Sequence, residues 1–157
     1  TSLESDDAFL CLDRNGNGRI DDGTELFGNA TPLSSGEAAG SDFRALAEFD
    51  LETLGGDGNG LVDRGDAQFR SICVWRDANR DGVSQRLEVR PIRATKIAAL
   101  EYSAHETAMY DEWGNIFWLE SVALVKTGRG STRRWPYFDG ILARSAQGGD
   151  SPSLSNP

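Results

Sequence analysis

Residues 72–89 read ICVWRDANRDGVSQRLEV, a short apolar run that ends directly at a dense set of oxygen donors. Asp77, Asn79 and Asp81 alternate, Gly82 follows, and Val83 offers a backbone carbonyl. Gln85 stands two residues further on, and Glu88 closes the segment. A hard divalent cation takes six to eight oxygens at roughly 2.3–2.6 Å, and a loop holds them at positions 1, 3, 5, 7, 9 and 12, with glycine at 6 for the sharp turn. Every one of those slots carries the expected chemistry here. The spacing is that of a calcium loop.

Two further stretches repeat the pattern. DRNGNGRIDDGTE, residues 13–25, supplies Asp13, Asn15, Asn17, the Arg19 carbonyl and Asp21 in order, with Gly18 at the turn. Its position 12 is Thr24, so the closing acid, Glu25, comes one residue late; Gly23 can absorb the extra residue, and Asp22 is the lesser alternative. GGDGNGLVDRGD, residues 55–66, supplies Asp57, Asn59, the Leu61 carbonyl, Asp63 and Asp66, but its first position is Gly55. Asp50 or Glu52 fills that gap if residues 51–56 bulge out. The ligand types predict Ca2+ in two loops, the first and third, with the second as a possible additional site. All three are EF-hand-type loops. Paired loops of this kind join at position 8 through apolar residues. Ile20 and Val62 meet that need and Ser84 does not, so loops one and two are expected to pair, leaving loop three single.

The acidity of the chain collects where these loops are. Lys+Arg 16 against Asp+Glu 25 gives a net charge of -9, which three divalent ions would bring to about -3. An acidic surface repels a phosphate backbone, so nucleic acid is not an expected partner. No run approaches the ~18 apolar residues of a membrane span, and the N-terminus shows no basic and apolar signal segment. A chain starting at Thr1 is expected to be part of a larger polypeptide. Cys11 and Cys73 sit in apolar runs and read as small buried hydrophobes.

The 157 residues suit one domain over residues 1–145, with a calcium-loop half (1–92), a β-rich half (93–145) and a disordered Ser/Gly/Pro tail over 146–157. Ser41 is a predicted N-cap, with Phe43, Leu46, Ala47 and Phe49 at near-helical spacing. Asp66 is expected to open another helix carrying Phe69 and Ile72 on one face. Residues 8–12 and 72–75 fit either strands or single helical turns. Residues 97–102 read as a strand, 107–110 and 116–125 as a hairpin, and 135–142 as a further strand. The expected fold class is α+β, with EF-hand-like calcium loops and short helices packed on a small antiparallel β-sheet.

LDRNGNGRIDDGTELFGNATPL from Leu12, RALAEFD from Arg44 and VWRDANRDGVSQRLEV from Val74 resemble a calcium-binding module of large secreted bacterial proteins of the RTX (haemolysin-type) class. MYDEWGNIFWLESVAL and RRWPYFDGIL resemble the β region that accompanies it, so the likeness covers roughly residues 6–142. It implies an extracellular, secreted location and folding or stabilisation by calcium. A related module is self-processing, cleaving an Asp-Pro bond and joining the aspartyl group to a lysine. The five prolines here follow Thr31, Arg90, Trp135, Ser151 and Asn156, so the chain contains no Asp-Pro bond. GGDGNGLVD also brushes against the RTX nonapeptide, but a single copy cannot stack into a β-roll.

Nothing in the sequence assembles a catalytic constellation. His105 is the lone histidine and reads as a solvated surface residue, and no nucleophile motif such as G-x-S-x-G is present. Zinc is unsupported by one His and two distant Cys. Trp113, Phe117, Trp118, Trp135, Tyr137 and Phe138 read first as sheet packing and second as a glycan- or protein-binding surface. The expected function is a non-enzymatic calcium-binding structural module, with calcium-dependent self-processing or adhesion as the alternative.

Overall fold

The computed structural model describes residues 8–111, 114–128 and 130–141. Among these, the chain is mostly β, with eight strands in two antiparallel sheets and one short helix. The expected EF-hand arrangement of helices around loops on a small sheet is therefore corrected. The four-residue runs Phe9–Leu12 (β1) and Ile72–Trp75 (β3) are too short to repay helix nucleation. They satisfy their backbone groups by pairing with each other.

The first sheet has the order β1-β3-β4, where β4 is Val89–Pro91. Its register sets Leu12 against Ile72, Cys11 against Cys73 and Leu10 against Val74. Loop one thus leaves from β1, while loop three runs from β3 into β4. Neither has an entering helix.

The second sheet is built on the central strand β7 (Ile116–Lys126). The strand β8, Thr132–Ile141, pairs along one whole edge of β7. On the other edge, β5 (Ile97–Glu101) faces residues 123–125 and β6 (His105–Tyr110) faces residues 116–120, so the two lie end to end. Ser121, only 1% exposed, donates its hydroxyl to the Glu101 and Ser103 carbonyls at 2.8 and 3.1 Å and seals the break between them. Short β2, Leu61–Asp63, adds to the outer side of β5 and sets Val62 against Leu100.

The helix α1, Asp42–Ala47, starts as the sequence indicates: Ser41 Oγ accepts the Arg44 N–H at 3.2 Å. It tightens into a 3-10 turn, Glu48–Asp50. Asp66, by contrast, opens only a 3-10 turn, Ala67–Ser71, and makes no capping bond. Its carboxylate is turned the other way, and Ile72 has already passed into β3. Leu46, Val62, Ile72, Ile92 and Leu100 form the heart of one core shared by both sheets and α1. Phe43 and Tyr137 meet edge to face at 5.1 Å, as α1 packs against β8. The tail over 146–157, Leu142 and Trp113 lie outside the described residues. No helix among the described residues is long and apolar enough to cross a membrane.

Candidate metal centres

Each loop begins with an aspartate at the end of a short element and folds back over it. In loop three, Asp77 Oδ1 accepts the N–H groups of Arg80 and Asp81, and Oδ2 accepts Gly82 at 2.9 Å. The acid or amide at each ligand position then holds the N–H two residues on: Asn79 holds Asp81, and Asp81 holds Val83. Glu88 closes the loop by accepting from Ala78 at 2.9 Å and Gln85 at 3.2 Å. These bonds wind residues 77–88 into one compact loop.

Loop one repeats the scheme. Asp13 accepts from Asn17 and Gly18 at 3.0 and 2.8 Å, Asn15 holds Asn17, and Asn17 holds Arg19. The late acid occupies the closing place: Glu25 accepts from Arg14 at 3.0 Å and Asp21 at 2.8 Å, as Glu88 does from its own loop. A 3-10 turn, Gly23–Glu25, takes up the extra residue. Asp22 caps that turn through Thr24, which makes it a structural residue. Glu25 is 4% exposed.

Loop two follows the same pattern once Asp50 is taken as its first residue. Asp50 accepts from Gly58, Asn59 and Gly60, and its Oδ2 also takes the Tyr102 hydroxyl at 2.8 Å. Asp57 holds Asn59, and Asn59 holds Leu61. Asp66 closes by accepting from Asp57 at 3.2 Å and Asp63 at 2.6 Å, which is why it caps no helix. The insertion folds out as a 3-10 turn, Glu52–Leu54, and Gly56 returns to the Asp50 backbone. A Cβ at Gly56 would lie 2.1 Å from the Asp50 carbonyl carbon, so this crossing admits only glycine. Glycine also serves at the sixth position of all three loops, where φ is +78° at Gly18, +89° at Gly60 and +71° at Gly82.

Asp50, Asp57 and Asp66 bring one carboxylate oxygen each to within 4.8 Å of one another. Among the described residues this trio could hold a metal ion. Burial raises Asp66 above its ordinary value; the Asp63 and Asp57 N–H groups oppose this, and the charges of Asp50 and Asp57 add to it. Burial acts on Asp50 too, but its bonds from Gly60, Tyr102, Asn59 and Gly58 outweigh it and lower its pKa. Asp63 stands apart, accepting the Gly65 N–H at 2.6 Å. In loops one and three, amide nitrogens lie against the acids instead: Asn15 and Asn17 on Asp21, and Asn79 and Gln85 on Asp81. The carboxylate oxygens of the Asp50, Asp57 and Asp66 trio are of the kind a hard cation takes.

The expected pairing of loops one and two does not occur. Ile20 N–H donates to Ser84 Oγ at 3.0 Å, so the position-8 residues of loops one and three meet. Ser84 is 4% exposed, and the hydroxyl counted against it in sequence is the group that makes the contact. Val62 is taken by β5. Tyr102 and Ser84 lacked any sequence signal, since their partners lie far along the chain.

Elsewhere, His105 is largely exposed and lies 3.7 Å from Glu120. Of the aromatic residues, Phe117 packs on Phe138 at 5.4 Å, while Trp118 and Trp135 are 49% and 55% exposed.

Residues 1–134 match the model of the SPM domain family. Over 99 residues, 63% of this chain, the sequence is 40% identical to the iron-regulated protein FrpA of Neisseria meningitidis serogroup C. The match occupies 8% of that protein's length, so the chain spans only a small part of this relative.

Proposed function

This chain belongs to the SPM domain family, and from that premise we propose that it is a calcium-binding structural module of a larger secreted bacterial protein, stabilised when its loops fill. The observation that carries this reading is the repetition of one hydrogen-bonding scheme in three loops of different length. Each has a first aspartate holding the turn glycine's N–H, ligand side chains two residues apart, and a closing acid accepting two N–H groups. The scheme persists in loop two despite its insertion and in loop one despite its late acid. A fold that only needed turns would not require carboxylates at the same places in each.

Calcium suits these ligands because it accepts six to eight oxygens in a flexible shell and tolerates backbone and amide donors. Gathered carboxylates such as Asp50, Asp57 and Asp66 repel one another, and a bound dication would offset that repulsion. A site kept at 100 times its Kd adds about 2.7 kcal/mol of stability by mass action. The expected outcome is a melting temperature several degrees higher in calcium than in chelator, with calorimetry showing saturable uptake. Asp13→Ala, Asp50→Ala and Asp77→Ala should each remove one site. A melt that a chelator leaves unmoved would sink the proposal.

A further inference from the structure

Cys11 and Cys73 read in sequence as small buried hydrophobes before a disulfide, and most of the calcium-loop half separates them. The structure sets them directly opposite each other in β1 and β3, in unbroken register with Leu12 against Ile72 and Leu10 against Val74. Both are buried, Cys11 at 0% and Cys73 at 9% exposure, and both are free thiols in contact with one another. Facing residues of an antiparallel pair lie roughly 4.5–5.5 Å apart at Cα. That falls within the span of about 4.4–6.8 Å that a disulfide bridges. Directly opposed residues of an antiparallel pair also share one face of the sheet, so the two sulfurs lie on the same side.

We propose that Cys11 and Cys73 form a disulfide site, whose bond staples β1 to β3 at the root of loops one and three. The oxidant is a low-molecular-weight disulfide or a disulfide-carrying oxidoreductase. One cysteine, as thiolate, attacks the donor's S–S bond and forms a mixed disulfide, releasing one donor thiol. The other cysteine then displaces the second donor sulfur, giving the Cys11–Cys73 bond. Two protein thiols are oxidised, the donor disulfide is reduced to two thiols, and the two protons pass to the donor. Burial in the finished sheet keeps reagents away from both sulfurs, so the bond forms while the chain folds and is shielded afterwards. The inference rests on strand register alone and does not involve the metal.

The test is refolding of the full chain from denaturant in a buffer of reduced and oxidised glutathione, followed by alkylation, non-reducing digestion and mass spectrometry. A linked peptide containing Cys11 and Cys73 is expected in the monomer, together with a higher melting temperature than the reduced chain. Cys73→Ala should gain no stability from oxidation. A refolded chain with both thiols alkylated overturns the proposal, as does a linked chain that melts lower than the reduced one, or a Cys73→Ala chain stabilised by the oxidant. Should rapid refolding be poor, slow dialysis out of denaturant in the same glutathione buffer gives the same readout, and two free thiols in the folded product again overturn it.

Discussion

Asp50 shows how much one side chain can organise. It is 2% exposed, yet its two oxygens satisfy three backbone N–H groups and the Tyr102 hydroxyl. Removing a buried acceptor strands its donors, so Asp50→Ala should cost about 3 kcal/mol in urea unfolding, while exposed Glu52→Ala should cost almost nothing. Tyr102→Phe removes one charge-assisted bond and should cost about 1.5 kcal/mol. Glu52 and Asp50 looked equivalent in the sequence, because spacing alone cannot say which acid an insertion delivers. A different acid sets a pH dependence. Burial, and secondarily the charge of Asp139, pushes Asp42 up to about 7, well above an unfolded value of about 4. The folded chain then binds the extra proton between those limits, so stability from this group is present at low pH and lost as pH rises through about 7. Asp42→Asn should flatten that part of a melting-temperature profile and raise stability at pH above it.

At the scale of elements, the loops were legible and their supports were not. Turn spacing is local, which is why Asp77, Asn79, Asp81 and Glu88 fall in one loop tied by its own backbone bonds. Whether FLCL and ICVW are strands depends on partners some sixty residues away, which no local pattern contains. The strands of the β-rich half were readable because alternation and turn residues are local, though their end-to-end placement on β7 was not. Gly56 belongs to this scale. Gly56→Ala places a methyl group inside the Asp50 backbone, so the insertion can no longer fold out. Calcium calorimetry on that variant should lose one site and keep the others. Ser84→Ala, which leaves the Ile20 N–H without its acceptor, should cost about 1–3 kcal/mol and loosen loops one and three together.

In the whole molecule, the three loops are not arranged in chain order. Loops one and three share a sheet and touch through Ile20 and Ser84, whereas loop two is built into the edge of the other sheet through β2 and is tied by Tyr102. Contact between two sites makes the ordering of either one easier once the other is ordered. If both loops bind an ion as proposed, linkage makes the effect reciprocal: each would gain in affinity by the same factor from its neighbour. Calcium should therefore enter loops one and three cooperatively, and loop two on its own isotherm. A titration would show a steep phase and a shallow one, and Ser84→Ala would split the steep phase into two without touching the shallow one.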